Sequence, residues 1–278
     1  MEILNALENQ DLFIELFNRF TIYAPYTVKL DDKKVRHVFR PTGDKENTIL
    51  IGKKGNHYGF IHFGIREYSG VGMIHVLFAD TNKLATELLT IAENHLKELG
   101  VTHFRGYIGW PGPYQYILHG SEPYCWAGNY HANNAFKRLN YDIEFDIVAM
   151  SIDLKGITET TTPHDLTIRE EIKRDDDIAY SGVYEVYEND KISGCCGYHQ
   201  HKGLGGKVGQ IDIWLDSKFH GKGLAQHMMA LVHNRLFILG AKKVILCTNQ
   251  SLFRAITFYR KLGYIVDPEK GYVYEKVL

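Results

Sequence analysis

Charge imbalance, cysteine and long apolar stretches are all scarce in this chain. Its 278 residues carry 32 Lys and Arg against 33 Asp and Glu, a formal net charge of −1. So even a balance provides no global basic field, which argues against nucleic acid or an anionic membrane as the main partner. No run is long and apolar enough to span a bilayer. The first segment, MEILNALENQDLFIELFNRF, has neither a basic leader nor a cleavable apolar core, so no signal peptide is expected. The four cysteines, Cys125, Cys195, Cys196 and Cys247, are too few and too irregularly spaced for a disulfide framework, and a reducing cytoplasm is the expected setting.

What is present is ordinary globular composition, 45% hydrophobic and 23% charged, at a length that suggests two domains. Leu12, Phe13, Leu16, Phe17 and Phe20 recur at three and four residues and predict an amphipathic helix. The runs TILIGKKGNHYGFIHFGIRE and VGMIHVLFAD predict antiparallel strands with a turn at KKGN. Leu84 to Leu96 predicts a helix stopped at Leu99-Gly100. A strand THFRGYIGW, an aromatic loop with Trp110, Tyr114, Tyr116, Tyr124 and Trp126, a helix over NYHANNAFKRLNY and a strand EFDIVAMSIDL complete the first half. The second half repeats this order: a hairpin turning at Glu188-Asn189-Asp190, the strand VGQIDIWLD, a helix over 224–239, the strand KKVILCT, the helix LFRAITFYRKLGY and the strand GYVYEKVL.

The repetition can be counted. Leu99-Gly100 matches Leu239-Gly240 at an offset of 140, and Leu84-Ala85 then falls on Leu224-Ala225. Further on, AFKRLNY matches FYRKLGY at an offset of 123, so the first half holds 17 extra residues, which the aromatic loop accommodates. An internal duplication follows, with domains at 1–152 and 165–278 joined by the polar, Thr-rich LKGITETTTPHD. Between LTIREE and VYEVYEND the second copy has too few residues for a pair of helices. The first copy has room for them.

The stretch FHGKGLAQHMM places Gly221, Lys222 and Gly223 directly before a helix. Glycine permits close backbone approach or positive φ, and the first N–H groups of a helix, with its macrodipole, favour an anion. GLGGKVG at 203–209 lacks the K-S/T of a nucleotide P-loop and is expected to be a hairpin loop. His199 and His201 with Cys195 and Cys196 suggest metal, but adjacent cysteines point to opposite faces of a strand and no C-x-x-C is present. Core cysteines and exposed histidines are the expectation, with no metal.

A strand, a glycine-rich turn, a helix, a strand and a helix ending F-Y-x-x-L-G-Y together resemble the GCN5-related N-acetyltransferase (GNAT) superfamily. Its phosphate loop, Q/R-x-x-G-x-G/A, is matched by His220, Gly223 and Ala225, with the first position departing from the pattern. Its last helix is matched by Ala255, Phe258, Tyr259, Leu262, Gly263 and Tyr264. The resemblance implies an α/β (α+β) fold of two tandem domains, each with a mixed, mostly antiparallel sheet flanked by helices and a splayed opening between the fourth and fifth strands. It also implies acetyl-CoA as acyl donor. Its pantetheine arm would lie along Ile213, Trp214 and Leu215, near a bulge expected at Trp214 to Asp216, and its diphosphate on His220, Gly221, Lys222, Gly223, Leu224 and Ala225, with Phe258 and Tyr259 beside it.

By the same resemblance Tyr259 is the acid that protonates the leaving thiolate, or a tyrosine that only packs its helix on the sheet. The amide near Leu215 is the natural polariser of the thioester carbonyl. Asp212, on one strand face with Gln210 and Trp214, is the candidate base, with Glu185, His199 and His201 as weaker ones. In the first copy Thr81 and Lys83 stand where Gly221 and Gly223 do, and Phe136 stands for Tyr259, so that copy is expected to be degenerate: a scaffold or an acceptor-side wall. The expected reaction is acetyl transfer to a small-molecule or peptide amine. A non-catalytic acyl-CoA sensor or docking module is the alternative, and an aminoacyl transferase using charged tRNA is disfavoured by the neutral balance. Oligomeric state is not specified by the sequence.

Overall fold

The computed structural model describes residues 1–40, 43–107, 112–120, 123–161 and 166–278. Trp110 and the last linker residues, 162–165, lie outside this set. The elements in chain order are β1 (Glu2–Asn5), α1 (Gln10–Phe20), α2 (Asp32–Val38), β2 (Asp44–Lys54), β3 (His57–Arg66), β4 (Gly72–Ala79), α3 (Asn82–Glu98), β5 (His103–Gly106), β6 (Cys125–Trp126), α4 (Tyr130–Arg138) and β7 (Asp142–Asp153). There follow β8 (Thr167–Asp175), β9 (Ala179–Glu188), β10 (Lys191–His201), β11 (Val208–Leu215), α5 (Leu224–Ile238), β12 (Lys243–Asn249), α6 (Phe253–Lys261) and β13 (Ile265–Val277).

Two compact units emerge, Met1–Ile147 with Glu269–Leu278, and Val148–Pro268. They do not coincide with the contiguous spans 1–152 and 165–278, because the chain's last ten residues count with the first unit. There β13 pairs antiparallel with β5, from Tyr274 opposite Gly106 to Val277 opposite His103.

In the first unit the strand order is β1-β2-β3-β4-β5-β13. The turn at KKGN is a two-residue connection, Gly55-Asn56, closed by Lys54 opposite His57, with Gly55 at φ 61° as such tight hairpins require. α1 covers one face of this sheet, setting Phe13 and Phe17 against Phe60 of β3. α3 covers the other, burying Leu84, Leu88, Leu89, Ala92 and Leu96 and placing His95 edge-on to Phe63 of β3. α1 and α2 occupy the stretch whose length left room for two helices.

In the second unit β12-β11-β10-β9-β8 run in that order. The β9–β10 turn is Asn189-Asp190, both at positive φ (49° and 60°), as the sequence suggests. Only residues 176–178 separate β8 from β9, so no helix pair forms there. α5 packs on β10 and β11 and covers the face that carries Cys196, Tyr198 and Ile211. The opposite face carries Cys195, Gly197, His199, Asp212 and Trp214. His201, also on that side, is fully buried and His199 is largely so, which corrects the expectation of exposed histidines. His201 earns its interior place by meeting Gln210 at 3.2 Å.

Candidate active site

The opening in the second unit follows from how β11 is paired. Its parallel ladder to β12 holds only from Val208 opposite Lys243 to Gln210 opposite Ile245. On its other edge β11 stays in register with β10 up to Leu215 opposite Gly194. That unbroken register corrects the expected bulge at Trp214 to Asp216: β11 is regular, and the gap arises because β12 diverges. The Asp216 amide donates to the Ser193 carbonyl at 3.0 Å. Antiparallel strands alternate their bonded edges, so even-numbered residues of β11 bond β10, and the peptide groups of Ile213 and Leu215 face the gap.

Just past this strand, Gly221 and Gly223 adopt φ of 75° and 82°. Gly223 is the N-cap of α5, and no side chain caps the helix. A Cβ at either glycine would meet no described atom within 4 Å, so the space above the loop is open while the backbone conformation still requires glycine. The amides of His220 and Lys222 are already committed to the carbonyls of Ser217 and Phe219. An anion cradle here therefore rests on Gly221 and on Gly223 to Ala225, with Lys222 exposed beside it.

Tyr259 is half-buried on α6, its ring 5.5 Å from Phe258 and 5.9 Å from Tyr264. Ile213, Leu215, Phe258 and Tyr259 all pack against the same core. Asp212 lies on the other face of the sheet, over Gly197, where a Cβ would collide with its carboxylate. Its side chain is 58% exposed, yet the protein around it raises its pKa by desolvation. His199 Nε2 is 3.9 Å from it, and burial brings that imidazole down to about 3, so at neutral pH the contact is not an ion pair. Glu185 accepts from the Tyr187 hydroxyl at 2.6 Å. The Cys195 thiol is pushed up by burial and then by Asp212 and Glu185, which keeps it protonated and unreactive.

The first unit has the same splay and has filled it. β4 pairs with β5 only from Gly72 opposite Phe104 to Ile74 opposite Gly106. Beyond that, the Tyr107 hydroxyl donates to the Leu77 carbonyl at 2.7 Å and accepts from the Leu77 amide at 2.8 Å. Asn129 Nδ2 adds a second bond to the same carbonyl at 2.9 Å. The N-terminus of α3 is closed too: Thr81 caps it, and His131 and Asn134 of α4 both reach the Asn82 side chain. α3 and α4 pack closely along one another, and the approach of α5 to α6 is looser.

Matching the ladders identifies the counterparts. Gly72 opposite Phe104 corresponds to Gly209 opposite Val244, so Tyr107 corresponds to Cys247. A bulge at His75 in β4 adds one residue, so Leu77 corresponds to Ile213. The position aligned with the plug therefore holds a small side chain in the second unit, within extended β12, whereas Tyr107 stands past β5 at φ 60°. Phe78, boxed by Phe20 and Phe60, corresponds to Trp214, which is 55% exposed. Sequence reasoning missed Tyr107, although the offset of 140 pairs it with Cys247. Tyr114, Tyr116 and Tyr124 of the aromatic loop are buried and serve their own unit.

Residues 149–264 match the model of the acetyltransferase (GNAT) family. A tandem GNAT protein from the clavulanic acid biosynthesis pathway superposes with a TM-score of 0.71 at 9% identity, over 99% of this chain and 98% of that one. A GCN5-related glucosamine N-acetyltransferase region of a fungal multi-domain β-N-acetylglucosaminidase gives 0.67 at 11% identity, covering 99% of this chain and 37% of that one. A GCN5-related N-acetyltransferase from Sphaerobacter thermophilus gives 0.59 at 15%, over 88% and 85%. No curated protein sequence matches. The second unit carries an acetyltransferase-type fold. The family model thus covers most of the second unit, and the whole chain shares its fold with a tandem GNAT protein. No described helix is long and apolar enough to cross a membrane.

Proposed function

We propose that the chain is an acetyl-CoA-dependent N-acetyltransferase whose second unit binds the donor and passes its acetyl group directly to an amine, with both substrates bound together. The observation that carries this reading is the contrast between the copies: Leu77 is satisfied by Tyr107, while its counterpart Ile213 faces an opening beside an uncapped, glycine-bearing helix start. Ile213 and Leu215 would pair with the pantetheine arm as a strand would, and Gly221 with Gly223 to Ala225 would hold the diphosphate. The first unit would serve as scaffold or acceptor-side wall. The acceptor class is a small-molecule or peptide amine, and the setting we favour is cytoplasmic.

The chemistry assigned to the side chains is as follows. A neutral amine attacks the thioester carbonyl, whose oxygen is polarised by the Leu215 amide. The C–N bond forms, the C–S bond breaks, and the Tyr259 hydroxyl gives its proton to the departing thiolate. Asp212 takes the proton that the amine nitrogen sheds, directly or through water, and its raised pKa improves it as a base.

Isothermal titration tests the donor half. Acetyl-CoA should bind the intact protein, and Gly223→Glu, which brings bulk and negative charge to the diphosphate seat, should abolish binding. No heat of binding with a folded protein would refute the assignment. An amine screen for released thiol tests turnover. Donor binding with no acceptor turned over, and no effect of Tyr259→Phe, would instead favour a sensor.

A further inference from the structure

The copies differ again on the sheet face that α3 and α5 do not cover. In the first unit α1 roofs that face: Phe13 and Phe17 meet Phe60, and Phe20 meets Phe78. The matched ladders make Cys195 the counterpart of Phe60 and Gly197 the counterpart of His62. His62 is fully buried and meets the Tyr114 hydroxyl at 3.1 Å, so the first unit fills this place with its own side chains. The second unit does not. Gly197 has no side chain to offer, and residues 176–178, which alone separate β8 from β9, supply no helix to lie over it. Along β11 burial falls off from Gln210, 1% exposed, to Trp214 at 55%. The result is a hollow floored by Gly197, with Asp212 on one side, Val183 on the other, and Cys195 and His199 at its ends.

The charges around the hollow select what enters it. Glu185 stands directly opposite Cys195 on β9, and Asp212 and Glu185 are the two charges that add to the effect of burial on the Cys195 thiol. The carboxylates therefore bracket Cys195 from β11 and β9. Two strands apart and one pair out of step, they spring from Cα positions about 12 Å from each other. The cations of this face are engaged elsewhere: Lys173 pairs with Glu171, Arg174 pairs with Asp176, and Arg169 lies over the Tyr187 ring at 4.7 Å. Among the described residues neither Asp212 nor Glu185 forms an ion pair with a lysine or arginine, and the imidazole beside Asp212 is neutral. Trp214 lies across from Cys195 on the same face, and an exposed indole attracts a cation much as a carboxylate does. Positive charge is thus favoured at two separate points of one surface.

We infer that this face receives the acceptor, and that the acceptor is a linear amine carrying a second, protonated amine. One nitrogen sheds its proton to Asp212 and attacks; the other keeps its charge against Glu185 and the Trp214 ring. This rests on the transferase reading above and names the substrate class of its open side, with Glu185 as the residue that sets specificity.

The test uses the full chain and two probes that differ by one charge, hexylamine and diaminohexane. Titrated into protein saturated with coenzyme A, the diamine should bind about tenfold more tightly, equivalent to ~1.4 kcal/mol, because its second ammonium gains a charge-assisted hydrogen bond. With acetyl-CoA as donor, thiol release should show the same preference in kcat/KM. Glu185→Gln keeps the shape of the side chain and removes only its charge, and it should abolish the preference. The ratio between the two probes is insensitive to a general loss of rate. Equal affinity for the two amines, binding of neither, or a preference that survives Glu185→Gln would overturn the inference while leaving the donor site standing. Failure of acetyl-CoA to bind the unmodified protein at all would remove both.

Discussion

Replacing Cys247 by tyrosine should convert the open copy into a closed one. The matched ladders put residue 247 where Tyr107 stands, and Ile213 where Leu77 stands. Tyr107 makes its bonds to Leu77 at 2.7 and 2.8 Å from a backbone at φ 60°, whereas residue 247 lies within extended β12, so a phenol there is expected to block the gap beside Ile213 by its bulk. The donor would then lose its two backbone bonds to Ile213, each worth about 0.5–1.5 kcal/mol, and would have to displace a ring. The expected loss is about 1–3 kcal/mol or more, which is roughly 5- to 150-fold in Kd. Titration calorimetry with acetyl-CoA on the unmodified protein, Cys247→Tyr and Cys247→Ala reads this directly. The alanine variant, which leaves the gap open, should bind within a few-fold of the parent. If the tyrosine variant folds normally and also binds with parental affinity, the gap at Ile213 is not where the donor lies.

Much of the fold was legible because its signals are local. α1, α3 and α5 follow from three- and four-residue apolar spacing, and the β9–β10 turn from Asn189-Asp190. The duplication was legible because the helix ends Leu99-Gly100 and Leu239-Gly240 share a frame. The filled slot was not, since it depends on which strand edge each residue presents, and that is fixed only when β4 is laid against β5. Tyr107 looks like any core aromatic until Leu77, paired with Ile61 of β3, is seen to lack a partner on its β5 edge. The strand exchange at the end of the chain was also out of reach, because β13 carries the same pattern whichever unit it joins.

The splay itself explains why the copies diverged as they did. A parallel pair that stops after three residues leaves backbone donors and acceptors without partners, at a cost of about 1–3 kcal/mol for each buried group. A fold that inherits the gap twice must answer it twice. In the first unit a tyrosine and an asparagine answer it from inside, bonding the Leu77 peptide groups. In the second unit Cys247 is too short to do so, and α6 has no fully buried residue. The copy that is less well packed is therefore the one able to gain from a bound strand-like molecule.

Three further outcomes follow from the same contacts. Tyr107→Phe should leave acetyl-CoA affinity unchanged while orphaning the buried Leu77 amide, costing about 1–3 kcal/mol and lowering Tm by roughly 2–10 °C; an unaltered melting curve would show that the phenol's bonds do not hold the unit closed. Asp212→Asn should keep donor affinity and lower turnover most at low pH and least at high pH, where the amine is already unprotonated, so a pH–rate profile unchanged in shape would remove Asp212 as the base. Acid should unfold the protein early, because burial holds His119 and His199 at about 3 and His201 and His233 at about 4. Each is neutral when folded but takes a proton near 6.5 when unfolded, so the unfolded state binds more protons below that pH and stability falls as pH falls. At ~1.4 kcal/mol per group per pH unit, four such groups remove about 5 kcal/mol for each unit below 6.5. Set against an ordinary stability of about 5–15 kcal/mol, that places the loss of near-ultraviolet circular dichroism between roughly pH 3.5 and 5.5. A protein still natively folded at pH 3 would mean that these imidazoles are reached by water, and that the interior drawn around His199 and His201 is more open than their burial implies.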